Sequence, residues 1–103
     1  MSAARKRILR WKKAAGDDLA AIVDTIAADS PVAAERFLET ILGRIESLER
    51  FPFSGGVCPH YPKARQIVFG NYLVYYTVGR RDVVIRAVVH GARLFRASWL
   101  RRQ

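Results

Sequence analysis

Residues 65–93 read RQIVFGNYLVYYTVGRRDVVIRAVVHGAR, and the alternation within this stretch decides the fold. Three β-branched and aromatic runs, residues 65–69, 72–78 and 83–89, are separated by the turn formers Gly70-Asn71 and Gly79-Arg80-Arg81-Asp82. That is the pattern of consecutive hairpins, with Gly-Asn supplying the positive φ angles of a tight turn. An antiparallel meander is predicted. Along its last strand Val83, Ile85, Ala87 and Val89 should share one side, and Val84, Arg86, Val88 and His90 the other. Arg86 and His90 are thus expected to point the same way, away from the helices.

Upstream the period changes. Residues 7–11, Arg-Ile-Leu-Arg-Trp, are short and β-branched and read as a first strand. In residues 14–28, Leu19, Ile22, Val23 and Ile26 follow helical spacing, with Asp17 and Asp18 expected in the first turn, where the helix dipole favours anions. Ser30-Pro31 restarts a helix, Ser capping free N–H groups and Pro occupying the first position without loss. Phe37, Leu38, Ile41, Leu42, Ile45 and Leu48 carry its apolar stripe to Phe51-Pro52, where proline disfavours helical geometry before it. The two helices should pack as a hairpin on one face of the meander, and residues 53–63, rich in Pro and Gly, read as a loop. A last helical turn is expected in residues 94–102, carrying Phe95, Trp99 and Leu100.

Charge is partitioned along the chain. Residues 1–13, 14–62 and 63–103 carry +6, −5 and +8, which recovers the net +9. So broad a cationic field at both ends calls for an acidic partner: nucleic acid, an acidic protein segment or an anionic surface. The 103 residues suffice for one domain with a real core. The single Cys58 excludes an intrachain disulfide and fits a reducing cytoplasm. No apolar run has the length of a signal peptide's core or a membrane span. A cytoplasmic protein without a membrane role is the expectation.

Taken in order, Trp11, Asp18-Leu19, Ile22, Ser30-Pro31, Phe37, Ile41, Ile45, Leu48, Pro52, Gly55 or Gly56, Arg65, Asn71-Tyr72, Tyr75-Tyr76 and Val88-Val89-His90-Gly91-Ala92-Arg93 resemble the RelE/ParE family of toxins from type II toxin–antitoxin pairs. The resemblance covers about residues 11–100. It implies an α+β domain spanning residues 1–103, ordered strand, helical hairpin, three-stranded antiparallel meander and short helical tail. It also implies a growth-inhibiting toxin, of the kind associated with plasmid stabilization, neutralised by a cognate antitoxin.

The family divides between ribosome-dependent mRNA endonucleases and proteins that poison DNA gyrase. Metal-free RNA cleavage needs a base for the 2′-hydroxyl, cations for the phosphate and an acid for the leaving oxygen. His90 with Arg65, Arg93 and Arg86 offers a partial set. The resemblance implies an arginine near the start of the second meander strand in the nucleases, where this chain has Tyr72. A glutamate that some nucleases carry after the second helix has no counterpart between Phe51 and Lys63, and only Lys63 loosely matches their lysine pair. The His-Gly-Ala-Arg ending is closer to the ParE branch. The expectation is therefore a toxin that binds its target, gyrase, with the ribosome and mRNA cleavage as the alternative. Arg65, Tyr72, Arg86, His90 and Arg93 are the residues for target or antitoxin contact.

Each of these has a plainer role open to it. His90 can be a structural hydrogen-bonding group, Arg93 can close a salt bridge, and Tyr72, Tyr75 and Tyr76 can pack inward instead of stacking on bases. No cofactor is expected: a Mg²⁺ site needs converging carboxylates and the sheet half has only Asp82, while Cys58-Pro59-His60 lacks a second pair of zinc ligands. At +9, nonspecific contact with nucleic acid is also expected.

Overall fold

The structure is a computed structural model and describes residues 5–91, 93 and 95–102. Ala92 of the His-Gly-Ala-Arg ending and Leu94 of the expected tail therefore lie outside the described residues. The order is β1 (Ile8–Trp11), α1 (Lys13–Asp29), α2 (Pro31–Glu46), a 3₁₀ turn (Ser47–Glu49), β2 (Gly56–Val57), β3 (Arg65–Phe69), β4 (Tyr72–Val78), β5 (Asp82–His90) and a second 3₁₀ turn (Ala97–Leu100). This is the α+β architecture read from the sequence, with one strand more.

That strand is β2, inside the stretch read as a loop. It is two residues long and pairs antiparallel with β3, giving a five-stranded sheet ordered β1-β5-β4-β3-β2. A Gly-Val pair carries no alternation, so no pattern announced it. β1 lies parallel to β5, with Trp11 opposite Ile85. Lys12 N–H donates to the Ile85 carbonyl at 3.0 Å, and the chain turns there into α1.

The helix starts follow local chemistry. Ser30 Oγ accepts from Ala33 N–H at 3.1 Å with Pro31 behind it, as the sequence predicted. α1 begins at Lys13 without a side-chain cap, and its first turn holds no acid, contrary to the dipole role expected for Asp17 and Asp18. Asp17 instead pairs with Lys13 at 2.8 Å, one turn back on an exposed surface.

Both helices bury one stripe against one face of the sheet. Ala15 and Leu19 of α1, Ile41 and Ile45 of α2 and Leu48 meet Ile67, Val74, Tyr76, Val83, Ile85 and Val88. Each buried aliphatic side chain of this size removes apolar surface from water worth about 1.5–3 kcal/mol. The Gly70-Asn71 hairpin has positive φ at Gly70 alone, 59°, so it matches a type II′ turn and Asn71 stays in an ordinary conformation.

The opposite face was expected to present Arg86 and His90. It is instead covered. Cys58, Ala64, Tyr75, Ala87, Val89 and Leu100 form a second core, with Tyr61, Leu73, Phe95 and Trp99 packed around it. The 3₁₀ turn near the C-terminus supplies the lid, which bears out the last helical turn read from the sequence.

Candidate functional site at the end of the last sheet strand

β5 changes character halfway along. Up to Ile85 it lies between β4 and β1, but beyond Ile85 β1 has ended. At that point β5 bulges: Tyr76 pairs with Ile85 and Tyr75 with Ala87, leaving Arg86 as the extra residue. A bulge reverses the alternation after it. Val83 and Ile85 face the helices, Ala87 and Val89 join the opposite core, and Val88 returns to the helix side. The uninterrupted alternation expected from the sequence is thus overturned, and with it the shared direction of Arg86 and His90.

Arg86 reaches across the far face. Its Nε donates to Thr77 Oγ1 at 2.8 Å and one terminal nitrogen to the Leu100 carbonyl at 2.9 Å, which ties the tail to the sheet. Arg102 completes the tie. Its two terminal nitrogens grip both oxygens of Asp18 on α1 at 3.0 and 2.6 Å, and its Nε donates to the Trp99 carbonyl at 3.2 Å. The same Asp18 carboxylate accepts Val88 N–H at 3.0 Å, and Arg102 also donates to the Arg86 carbonyl at 3.2 Å. An acid and an arginine distant in sequence therefore satisfy backbone groups where β1 no longer does, as buried polar groups require.

That pair escaped the sequence reading. Asp18 falls between Ala15 and Ile22 at helical spacing, so a charge inside an apolar stripe was the available signal. Arg102 offered none beyond its sign.

His90 stands at the other end of this arrangement, on the helix side. Its ring meets Tyr72 edge-on at 5.4 Å, Tyr72 meets Phe37 of α2 at 5.3 Å, and Phe37 meets Phe69 at 5.6 Å. Gly91 N–H donates to the Asn71 carbonyl at 2.7 Å, hooking the chain beyond β5 onto the β3–β4 turn, and Arg93 N–H donates to the His90 carbonyl at 3.0 Å. Three shallow concavities of about 340, 200 and 160 Å³ adjoin this corner. Tyr72 and His90 line the first two, and Arg93 lines the last two. Tyr72, His90 and Arg93 are thus brought together.

Arg65 is not. It pairs with Tyr76 across the ladder, whereas His90 pairs with Tyr72, so the two lie about 13 Å apart along the strands at the usual rise per residue. Its guanidinium donates to the Gly55 carbonyl at 2.7 Å and sits 5.0 Å over the Phe53 ring. Tyr75 and Tyr76 are 3% and 0% exposed, so of the three tyrosines only Tyr72 reaches the surface corner. Burial pushes both phenols above their ordinary value. For Tyr76 the hydrogen bond from Gly55 N–H and the nearby Arg65 and Arg44 oppose the rise. Cys58 is fully buried beneath the tail and His60 stacks on Phe95 at 5.2 Å, so the Cys-Pro-His segment closes the second core.

The description "ParE toxin of type II toxin-antitoxin system, parDE" belongs to a family model that matches residues 9–95. The chain belongs to the ParE toxin family. Among solved structures, a chain from the chromosomal ParDE toxin–antitoxin system of P. aeruginosa shares the fold with a TM-score of 0.72 at 20% identity, covering 82% of this chain and 96% of that chain. No curated protein matches the sequence. The ParE family match runs from Leu9 in β1 through Phe95, and so includes the bulge, Asp18, and the Tyr72, His90 and Arg93 corner, but not Arg102. Among the described residues of this ParE-family toxin, no helix is long and apolar enough to cross a membrane.

Proposed function

We propose that this ParE-family toxin inhibits bacterial growth by binding its target, DNA gyrase, without cutting nucleic acid itself, and that a cognate antitoxin neutralises it in the cytoplasm. The observation that carries the reading is the dispersal of the nuclease set. Acid–base cleavage of RNA needs its base and its cations within hydrogen-bond reach of one phosphate. Arg65 is engaged with Gly55 and Phe53 about 13 Å from His90 along the strands and on the far side of β4, and Arg86 is committed to Thr77 and Leu100 on the opposite face. Only Arg93 keeps company with His90. The corner of Tyr72, His90 and Arg93 then serves as a contact surface.

Expression without an antitoxin tests this. Intact mRNA 5′ ends with impaired supercoiling by gyrase are expected, and His90→Ala should keep most of the toxicity at matched expression and folding. Codon-positioned cuts with normal supercoiling, abolished by His90→Ala, would establish the nuclease instead. A toxin at +9 should also bind an acidic antitoxin segment fast and with strong salt dependence.

A further inference from the structure

The far end of β5 carries a second cationic feature that the proposed contact corner does not use. The parallel register sets Ile8 opposite Asp82, and Ile8 N–H donates to the Arg81 carbonyl at 2.9 Å. The chain before β1 is thereby laid beside the β4–β5 turn. Arg7 fixes the arrangement from its own side, its Nε donating to the Gly79 carbonyl at 3.1 Å. Arg5, Lys6, Arg7, Ile8, Arg80 and Arg81 line one open concavity of about 600 Å³.

Like charges held side by side across strands destabilise a sheet. Here the partial relief is small. Lys6 pairs with Glu49 at 3.3 Å, and Arg7 lies 5.5 Å over the Phe53 ring. The side chains of Arg5, Arg80 and Arg81 make no hydrogen bond or ion pair among the described residues. Three uncommitted guanidinium groups therefore face one hollow. We propose that this concavity binds the phosphodiester backbone of nucleic acid, duplex DNA first, independently of the Tyr72, His90 and Arg93 corner.

The lining decides the class of ligand. A protein partner would need an apolar centre with charge confined to the rim, and among the described residues Ile8 is the only apolar side chain in the lining. Nucleic-acid interfaces are the ones that are strongly cationic throughout. Arginine's planar fork matches phosphate oxygens two at a time. The open shape and the spread of cations over two chain segments suit a run of phosphates along a backbone. β5 has nine residues, so the hollow lies about 27 Å from His90, and occupancy of one end leaves the other accessible.

The test uses the full chain, freed of antitoxin, in a fluorescence anisotropy titration with a mixed-sequence 20-base-pair DNA at two salt concentrations. The triple variant Arg5→Ala, Arg80→Ala, Arg81→Ala is set against Arg36→Ala, Arg50→Ala, Arg101→Ala, which removes the same charge from exposed positions outside the hollow. Circular dichroism melts confirm folding of both. The first triple should lose at least tenfold more affinity than the second. Its log–log salt slope should flatten by about 2–3, as three lost phosphate contacts would give at about 0.9 each. Equal weakening by the two triples, or no binding by the parent chain, overturns the proposal. Equal binding of an RNA duplex of the same length supports backbone recognition, whereas a DNA preference supports DNA as the natural ligand. If a polyglutamate peptide binds as tightly as DNA and is lost from the same triple, the site belongs to an acidic protein segment and the proposal fails. None of these readings depends on whether gyrase is the toxin's target.

Discussion

The two faces of the sheet are buried by different chemistry. On the helix side, large aliphatic side chains from α1 and α2 fill the space, and Ile41, Ile45, Leu48, Val74, Val83 and Ile85 are all fully enclosed. On the other side the sheet and loop contribute the smaller Cys58, Ala64, Ala87 and Val89 with the aromatic Tyr75, and the lid that brings Leu100 is one 3₁₀ turn held by Arg86 and Arg102. The first core holds itself by apolar area, while the second depends on charged hydrogen bonds to keep its lid down. Stability should therefore be global on one side and local on the other.

The largest effect should come from Ile41→Ala. It empties a fully enclosed position and should cost about 2–5 kcal/mol. Leu100→Ala removes the same kind of group from beneath the lid, yet the lid can lift without unfolding the sheet. Its shift in urea midpoint should be less than half as large. Equal shifts would show that both faces belong to one cooperative unit and would break the contrast.

Next comes Tyr76→Phe, because its hydroxyl forms a buried polar link on the helix side. The buried Tyr76 hydroxyl donates to the Pro52 carbonyl at 2.8 Å and accepts Gly55 N–H at 3.1 Å. Removing it leaves both backbone groups without that partner, at about 1–3 kcal/mol. Gly55 is glycine for the same reason: a Cβ there would lie 2.5 Å from the Tyr76 hydroxyl and 2.6 Å from the Gln66 carbonyl oxygen. Full stability in Tyr76→Phe by urea titration would mean that another donor and acceptor replace the hydroxyl.

Asp18→Asn should be milder and confined to the far side. The amide oxygen can still accept Val88 N–H, but the ion pair with Arg102, which is 19% and 31% exposed, is gone. A loss of about 1 kcal/mol is expected, since a partly exposed pair is worth more than a surface one and less than a buried one. Hydrogen exchange should quicken at the Trp99 and Arg101 amides, bonded within the 3₁₀ turn, while β4 stays protected. Unchanged exchange in the tail would show that Arg86 alone holds the lid.

These contrasts also mark what the sequence could reveal. The helices and the meander are written in periodicity, because the face they share is continuous and each residue's direction follows from its neighbours. β2 carried no period, being two residues, one of them glycine. The bulge at Arg86 was invisible because Val-Val-Ile-Arg-Ala-Val-Val is as good a strand with one extra residue as without. From that one residue followed the wrong direction for His90, the unforeseen use of Arg86 and the need for Asp18. Of the five candidate contact residues, Tyr72, His90 and Arg93 converge because the β3–β4 turn and the end of β5 are neighbours in any such meander. Arg65 could not join them once the register was set.

The smallest effect at neutral pH should be Tyr75→Phe, and its value lies at high pH. Burial first, and Cys58 second, push the Tyr75 phenol above its ordinary value of 10.0. The folded chain thus holds this proton more tightly than the unfolded chain. The associated stability is fully present below about pH 10 and is lost as pH rises through the folded value. Tyr75 meets Phe95 at 5.5 Å and Trp99 at 6.3 Å, so the phenolate would form beneath the lid. In a Trp11→Phe background, Trp99 emission should shift to the red above pH 10 before the helical circular dichroism signal falls. Tyr75→Phe should delay that shift and leave the dichroism curve unchanged. If parent and variant lose the lid at the same pH, ionisation of Tyr75 does not govern it. The arginines that hold the tail would then be the place to look, because the bonds from Arg86 to the Leu100 carbonyl and from Arg102 to the Arg86 carbonyl and Asp18 join the lid to the sheet and to α1.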